Sequence, residues 1–421
     1  MKILWIVNIP LGPLSLHLYQ KKCNGLWMSA LLESIVRKKE YELTVVTTAH
    51  ISEPLRIEED GVVYWALPDR HPIDYDENKP SNIAAFRKLL SEEKPDLIEL
   101  WGTEFAQVLC ALRQAGDIPC VIYMQGYLTS IARHYLGGMT QKEIKRSLTF
   151  RNIIKRDSVL QEQEKYYRRA EKEKEMLSLA KNVICENDWC ENSLNAAVDG
   201  LRFFRCPLSL GETFGKYRWE IENVEPYSVI CNASGYPFKG LHMLFRSVAM
   251  LKEKFPQIKL YIPGAAISTE KSLMASIKKP GYTKFLEDLV KELGIEDHIV
   301  WLGRLTQEEL ASQYAKTRAF VLCSSIENHS SSLKEAMMVG MPCAASIVGG
   351  VAEYATHKKD ALLYRFGEYD VLASYLEKMF EDDALCKNLS DNARLSIERL
   401  HSEEEIYQIT SEIYQTIING K

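Results

Sequence analysis

Short runs of apolar residues alternate, over the first 130 positions, with longer stretches in which apolar positions recur at helical spacing. The runs predict buried strands and the longer stretches predict amphipathic helices. The predicted strands are KILWIVN, ELTVVTT, GVVYWALP, DLIELWG and CVIYMQG, and the helices among them are GLWMSALLESIVRKK and AAFRKLLSEE. Strands that alternate with helices in this way predict parallel βαβ units.

The same alternation starts again near Tyr227. Its predicted strands are YSVICNAS, KLYIPG, HIVWLG, AFVLCSS and PCAAS, and the helices between them are GLHMLFRSVAMLKEKFP, FLEDLVKELG, EELASQYAKT and SLKEAMMVG. Two such series predict an α/β protein with two Rossmann-like doubly wound domains that face a cleft. In open α/β sheets ligands bind outside the carboxyl ends of the strands, so polar residues after strands are candidate site residues.

The pattern also predicts the domain boundaries. The first domain covers 1–205, a linker rich in turn formers covers 206–226, and the second domain covers 227–400. Within the first domain, the segment 140–180 is heavily charged, lacks Pro and Gly, and is interpreted as long and helical. The last helix, within 401–421, has one apolar stripe and can pack back on the first domain.

Composition narrows the class of protein. The 421 residues carry a net charge of −5, so the chain lacks the overall basic excess that would indicate a nucleic-acid partner. No stretch reaches the roughly 18 consecutive apolar residues of a membrane span, and the apolar first residues lack the features of a signal peptide. The 10 cysteines are scattered and form no CxxC pair, which predicts reduced core cysteines and a cytoplasmic location.

Residues 324–340, SSIENHSSSLKEAMMVG, place polar residues directly after a predicted buried strand that ends at Cys323. The following helix is predicted to begin at Ser331 or Ser332, with Glu335 completing a capping box. Its first backbone amides would form a seat for a phosphate, and Glu335 could accept two hydroxyl hydrogen bonds. Glu327, in the loop, could contact a sugar hydroxyl or a developing positive charge. The alternative is that Glu335 only caps the helix.

Lys239 and Gly240 provide a second signal in the same domain. They lie in the loop after the domain's first strand, at a helix start. A lysine there can bind a diphosphate as a point charge, and glycine lets the backbone approach closely.

These blocks together resemble the retaining nucleotide-sugar glycosyltransferases of the family-four type, which have the two-domain GT-B fold. SIENHSSSLKEAMMVGMPCAASIVGGVAE resembles their E-x7-E signature, and ASGYPFKGLHMLFRSVAMLKEKFPQIKLYIPG and HIVWLGRLTQEELASQYAKTRAFVLCSS resemble the neighbouring blocks. The resemblance covers the second domain. In the first it is limited to strand order and to GLWMSALLESI, DLIELWGTE and YMQG.

The resemblance implies a role for each matching residue. Glu335 would hold the ribose, and Glu327 would contact the transferred sugar near its anomeric centre. Lys239, Gly240 and the amides of Ser330, Ser331, Ser332 and Leu333 would bind the diphosphate, and Leu302, Gly303 and Arg304 would line the nucleobase pocket. The implied activity is metal-independent transfer to a saccharide or lipid-linked acceptor, in polysaccharide or glycoconjugate assembly.

Three positions depart from the family pattern. Asn328-His329-Ser330 replaces Gly-Phe-Gly after the first glutamate, which places side chains beside the donor sugar. Ser234 stands where an arginine commonly contributes to the diphosphate site. Gln125-Gly126 stands in place of a His-Gly pair on the acceptor side.

Other candidates belong to the first domain. Thr103 and Glu104 follow the strand DLIELWG and are candidates for the acceptor side. Gly25 and Trp27 lie at the first helix, where Trp27 either stacks a sugar ring or belongs to the core. The DxD sequence Asp74-Tyr75-Asp76 lies in a polar loop, and the 9 histidines show no ligand spacing, so no metal is expected.

The segment 140–157 mixes basic residues with Ile144, Leu148, Ile153 and Ile154. A basic amphipathic helix can lie on an anionic membrane, which would make the protein peripheral at the inner membrane face. The alternative is a solvated helix that covers the first domain. Two other functions also fit: a nucleotide-sugar epimerase on the same scaffold, and a catalytically silent subunit that binds nucleotide and supports an active partner.

Overall fold

The computed structural model describes residues 1–20, 26–69, 75–233, 235–264, 279–398, 400 and 402–420. The chain forms two compact units. The first contains Met1–Thr129, Arg168–Gly211 and His401–Lys421, and the second contains Ser130–Tyr167 and Glu212–Leu400. None of the helices in the described ranges is long and apolar enough to cross a membrane.

The first unit is built on a sheet that has eight strands within the described residues. The strands are β1 (Lys2–Ile6), β2 (Glu42–Ala49), β3 (Leu55–Glu59), β4 (Val62–Pro68), β5 (Leu97–Trp101), β6 (Cys120–Tyr123), β7 (Asn182–Cys185) and β8 (Arg202–Arg205), in the order β3-β4-β2-β1-β5-β6-β7-β8. All neighbouring pairs are parallel except β3 and β4. The antiparallel edge strand β3, which the apolar pattern did not predict, is mostly exposed and charged.

Helices cover both faces of this sheet. They are α1 (Gly12–Tyr19), α2 (Leu26–Lys38), α3 (Pro80–Glu93), α4 (Gln107–Gln114), α8 (Val159–Ala180) from Arg168 onward, α9 (Asp188–Asn195) and α16 (Glu403–Ile418). The short helix α5 (Leu128–His134) begins in this unit and ends in the second. One apolar core lies on each face of the sheet. Because both faces of the parallel strands are buried, their sequences are nearly continuous runs of apolar residues.

The last helix contributes to one of these cores. Ile406, Ile413 and Ile417 of α16 are buried with residues of α2 and the sheet. Tyr414 donates a hydrogen bond to the carboxylate of Glu99 in β5, and Trp5 Nε1 donates to the Tyr414 hydroxyl at 3.0 Å. Burial raises the pKa of Glu99 to about 8.

The second unit has a six-stranded parallel sheet within the described residues. Its strands are β9 (Glu225–Ile230), β10 (Lys259–Pro263), β11 (Ile299–Gly303), β12 (Thr317–Leu322), β13 (Cys343–Ser346) and β14 (Leu362–Tyr364), in the order β11-β10-β9-β12-β13-β14. Its helices are α6 (Gln141–Arg146), α7 (Phe150–Lys155), α10 (Leu241–Leu251), α11 (Gly281–Leu293), α12 (Gln307–Lys316), α13 (Ser331–Val339), α14 (Tyr369–Glu381) and α15 (Asp383–Glu398). Two Rossmann-like sheets confirm the predicted α/β class.

The segment 140–180 differs from its prediction as a long helix. It contains α6, α7 and α8, separated by short breaks. Thr140 and Thr149 each begin a helix with a capping box, and Arg156 ends α7 in the left-handed region at φ 52°. The sequence therefore contained a signal for each new helix start, namely a threonine three residues before Glu143 and another three residues before Asn152.

Residues 130–167 also lie in a different unit from the one expected, because their contacts are with the second unit. The Ser325 hydroxyl donates to His134 O at 3.0 Å, and His242 Nε2 lies 2.9 Å from Gly137 O. Arg246 of α10 forms an ion pair with Glu143. Part of the predicted first domain, 1–205, therefore belongs to the second unit.

Candidate active site

The order of the second sheet brings two loops together. β9 and β12 are neighbours, but the connections that follow them run in opposite directions across the sheet, which is the topological switch point where ligands bind in such folds. The loop after β9 contains Lys239 and Gly240. A Cβ atom on Gly240, at φ +70°, would lie 1.8 Å from Cys323 O. Only glycine therefore allows these two loops to pack so closely.

Lys239 and Glu327 meet across the two loops. Lys239 Nζ lies 2.6 Å from Glu327 Oε1, and the Ser324 hydroxyl donates to the same oxygen at 2.6 Å. Both side chains are partly buried. Two donors on one carboxylate oxygen fix the orientation of Glu327.

The backbone of Glu327 is held by a third loop, which follows β13. A Cβ atom on Gly349, at φ +52°, would lie 1.7 Å from Glu327 O. The Gly350 amide donates to Asn328 O at 3.1 Å. The Gly-Gly pair seen in the sequence therefore supports the loop that carries the carboxylate.

The helix that follows Glu327 begins at Ser331, one of the two predicted starts. Ser330 is the N-cap of α13, and its hydroxyl accepts from the Leu333 amide at 3.4 Å. The predicted capping box is wrong, because Glu335 is the fifth residue of the helix and cannot reach back to the cap. The amides of Ser331 and Ser332 have no carbonyl partner within the helix, so they remain as donors at its positive end.

Glu335 lies one turn into α13 and is partly buried. Burial raises the pKa of its carboxyl group to about 7, and the neighbouring Lys334 ammonium opposes that shift. Since no described residue donates a hydrogen bond to this carboxylate, the capping alternative does not account for it. A carboxylate in this position can accept hydrogen bonds from two hydroxyl groups of a ligand.

A lysine and a histidine adjoin these residues. Lys334 is fully buried, and its Nζ lies 3.1 Å from His329 Nδ1. The His329 ring packs edge-on against Tyr354 with a centroid distance of 4.5 Å. Because an ammonium group can only donate, His329 Nδ1 is the acceptor in this contact.

The remaining donor-side candidates lie along the same edge of the sheet or outside the described residues. Gly303 ends β11, and its carbonyl accepts from the Gly264 amide at 2.6 Å. Arg304 follows it and is exposed. Ser234 lies outside the described residues. The structure thus joins Lys239, Gly240, Glu327 and the start of α13, and places Gly303 and Arg304 two strands away from β9.

The first-unit candidates follow β5 and β6. The Gly126 amide donates to Glu104 Oε1 at 2.7 Å, and Asn8 Nδ2 donates to Gln125 Oε1 at 3.3 Å. Burial raises the pKa of Glu104. Trp27 is partly buried against the core of its unit, which agrees with the expected alternative that it belongs to the core. Gly25 lies outside the described residues.

Glu173 of α8 is a buried residue of this region that sequence reasoning missed. Its carboxylate accepts hydrogen bonds from the Thr103 hydroxyl at 2.7 Å and from the amides of Leu128 and Thr129 at 3.0 and 3.1 Å. Burial raises its pKa to about 7. Thr103 is itself buried, so its hydroxyl positions the loop instead of lining an open surface. The surrounding run of charged residues gave no signal that one glutamate points inward.

Two sequence expectations concerned metal and cysteine chemistry. No group of three or more His, Cys, Asp or Glu side chains among the described residues could hold a metal ion. Asp74 of the DxD sequence lies outside the described residues. The Asp76 carboxylate accepts a hydrogen bond from the Asn78 amide at 3.0 Å, within its own loop. The nine cysteines in the described part of the chain are free and buried.

Comparison with known proteins gives a family match over part of the chain. Residues 216–396 match the family model described as "Glycosyl transferases group 1". This segment belongs to that family. The glycosyl transferase group 1 segment contains Lys239, Glu327 and Glu335, so each donor-side candidate lies within the matched part of the chain.

Similar curated proteins cover only part of the chain. N-acetyl-alpha-D-glucosaminyl L-malate synthase of Bacillus anthracis is 31% identical over 134 residues, which is 32% of this chain and 35% of that protein. The uncharacterized glycosyltransferase YqgM of Bacillus subtilis is 23% identical over 184 residues, or 44% of this chain and 47% of that protein. The chain thus spans less than half the length of these relatives.

Solved structures cover the whole chain. Sucrose-phosphate synthase from Thermosynechococcus elongatus has a TM-score of 0.72 at 17% identity and covers 100% of both chains. HepE from Anabaena, in complex with UDP-glucose, has a TM-score of 0.68 at 16% identity and covers 99% of this chain and 100% of its own. At these identities the likeness establishes the fold. The glycosyl transferase group 1 segment is therefore one part of a GT-B fold.

Proposed function

We propose that the protein is a retaining glycosyltransferase that moves a sugar from a nucleotide-sugar donor to a saccharide or lipid-linked acceptor. The observation that best supports this proposal is the contact between Lys239 and Glu327 at 2.6 Å, at the switch point of the second sheet and beside the start of α13. A cation, a carboxylate and free helix amides meet there. The cation and the amides complement the negative charge of a diphosphate, and the carboxylate complements positive charge that develops on the sugar.

In this proposal each group binds one part of the donor. Lys239 and the amides of Ser331 and Ser332 bind the diphosphate, because a helix N-terminus and a lysine both favour anions. Glu335 accepts the two ribose hydroxyls. Glu327 Oε1 is occupied by Lys239 and Ser324, so Oε2 is the atom that contacts the sugar.

The reaction breaks the bond between the anomeric carbon and the diphosphate oxygen and forms a bond from that carbon to an acceptor oxygen. The transition state has oxocarbenium character, and the leaving diphosphate gains negative charge. Fixed donors aimed at that charge are worth more than the same donors in water, because they need no reorganisation. We propose that Lys239 and the α13 amides serve this purpose without a metal ion.

The donor base and sugar are proposed by analogy alone. Structures of HepE were solved with UDP and with UDP-glucose, so a UDP-sugar is the first candidate. Gln125, Gly126, Glu104 and Trp27 remain our candidates for the acceptor side. We further propose a role in polysaccharide or glycoconjugate assembly, a cytoplasmic location, and peripheral contact with the inner membrane face through 140–157.

The test is a thermal-shift screen of the full chain with UDP-, GDP- and ADP-sugars, followed by calorimetry with the best donor. A ligand that binds only the native state raises the apparent melting temperature. We expect one nucleotide class to raise it and Glu335→Ala to abolish the rise. If no nucleotide sugar binds, the proposal is wrong.

Two control reactions separate the proposal from its rivals. An isomerised sugar after incubation with donor alone would indicate the epimerase. Binding of nucleotide with no turnover of any donor by the isolated chain would favour a silent subunit that supports an active partner.

A further inference from the structure

Helix α7 has its polar and apolar sides inverted relative to an ordinary surface helix. Phe150, Ile153 and Ile154 share one side at i, i+3 and i+4 spacing, and their exposed fractions are 60%, 76% and 65%. Asn152 on the other side is buried, and its Nδ2 donates to Asp157 Oδ1 at 2.7 Å. With Leu148, which is 55% exposed, these side chains form what we call the α7 apolar surface.

The base of this surface is firmly attached to the second unit. The Thr149 hydroxyl donates to Lys279 O at 3.3 Å, and Arg146 forms an ion pair with Glu292 at 2.8 Å. A Cβ atom on Gly281 would lie 2.2 Å from Ser147 O, so the backbones are in close contact. Four exposed large apolar side chains on an anchored support are a feature that soluble proteins keep for interactions.

The charges around the surface are basic. Lys142, Lys145, Lys155 and Arg156 are exposed, and none forms an ion pair within the described part of the chain. The acidic residues nearby are already paired, Glu143 with Arg246 and Asp157 with Arg151. The surface is therefore apolar at its centre and positively charged at its margin.

We propose that the α7 apolar surface docks on an anionic lipid bilayer, with Phe150, Ile153 and Ile154 inserted among the acyl chains and the four free cations on the headgroups. Interfacial helices bind membranes through this combination of apolar area and attraction to anionic lipids. The proposed function included a membrane contact through 140–157. The inference specifies which residues make that contact and that the lipid is anionic. It does not depend on transferase chemistry, because it is tested by lipid binding alone.

The experiment is co-sedimentation of the full chain with two kinds of vesicle. One contains phosphatidylcholine alone, and the other also contains about 30 mol% phosphatidylglycerol, which gives a surface charge near that of anionic membranes. The variants are Phe150→Ser/Ile153→Ser/Ile154→Ser and Lys142→Gln/Lys145→Gln/Lys155→Gln/Arg156→Gln. The matched control is Met250→Ser/Leu395→Ser, which removes two exposed apolar side chains elsewhere on the same unit.

We expect the wild type and the control to bind anionic vesicles about equally. The triple serine variant and the quadruple glutamine variant should each bind at least about tenfold more weakly, because each loses several apolar or basic contacts with the membrane. Binding of the wild type should fall with added salt. The inference is overturned if the wild type ignores anionic vesicles, or if the serine variant still binds them.

Two further readouts identify another occupant of the surface. If the serine variant melts several degrees below the control, the chain itself covers these side chains. If the wild type is a dimer by sedimentation and the serine variant is a monomer, a second copy covers them. Either result would overturn membrane docking.

Discussion

The Lys239 ammonium lies 2.6 Å from Oε1 of Glu327, and these two residues come from different loops 88 positions apart. The Ser324 hydroxyl donates to the same oxygen at 2.6 Å. Because both donors approach Oε1, they orient the carboxylate so that Oε2, which receives no hydrogen bond from a described residue, is left for a ligand. The side chains predicted to contact the diphosphate and the sugar are therefore positioned by each other.

Replacing Glu327 should affect turnover more than binding. Glu327→Ala removes the carboxylate nearest the reacting sugar, and we expect kcat to fall about 100-fold or more, as when one preorganised transition-state group is lost. The Kd for the nucleoside diphosphate should change much less, since that ligand lacks the sugar. Steady-state kinetics and calorimetry measure the two effects. An equal loss of both would contradict a sugar-side role.

Replacing Lys239 should instead weaken binding of the nucleoside diphosphate. We expect Lys239→Ala to raise the Kd about tenfold or more, because a charge-assisted contact contributes roughly 1.5–3 kcal/mol. Calorimetry with the bare nucleoside diphosphate measures this. Lys254→Ala is the matched control, since Lys254 lies just beyond the other end of α10 and pairs with Glu377. Unchanged affinity in Lys239→Ala would remove this lysine from the phosphate site.

Nucleotide binding should strengthen as the pH rises through about 7. Burial raises the pKa of Glu335 to about 7, so below this pH the carboxyl is largely protonated and one of its oxygens is a donor. Two ribose hydroxyls require the ionised form, so affinity should fall by up to about tenfold per pH unit below the pKa. Calorimetry between pH 5.5 and 8.5, a window of roughly 1.5 units on either side of that pKa, covers the transition. Glu335→Gln should bind weakly and without this slope, and a wild-type slope that survives in the variant would assign it to another group.

Donor choice should depend on His329. Its polar ring stands where the resemblance implies a phenylalanine, and Lys334 Nζ lies 3.1 Å from its Nδ1. We expect His329→Phe to change the ratio of kcat/KM values among UDP-sugars by about tenfold, the size of one hydrogen bond to a substrate hydroxyl. Lys334→Met should shift the ratio in the same direction. A ratio unchanged in both variants would mean that His329 does not face the sugar.

The donor side of the candidate site was predictable because it follows from topology. Parallel strands end at one edge of a sheet, so Lys239 after β9 and Glu327 after β12 had to be near neighbours once the strand order was assigned. The exact helix start was not predictable, because three consecutive serines are nearly equivalent caps. Only the structure distinguishes Ser330 from Ser331 and Ser332.

Other features could not be predicted because they depend on contacts far apart in sequence. The place of residues 130–167 in the second unit depends on Ser325, His242 and Arg246, none of which is recognisable as a partner from the charged segment itself. Glu173 was missed for a similar reason. One inward-facing glutamate in a charged helix has no distinguishing pattern, and its partners Thr103, Leu128 and Thr129 lie 44 or more positions away.

The helix Glu403–Ile418 has a consequence for how the chain folds during synthesis. Tyr414 supplies the hydroxyl that contacts both Trp5 and Glu99, and it follows them in the chain by 409 and 315 positions. The buried carboxyl group of Glu99 therefore gains this partner only after 315 further residues have been synthesised. The face of the first sheet that α16 covers stays open until that helix has been synthesised, and residues 212–400 of the second unit, which emerge before it, can fold before the first unit is finished.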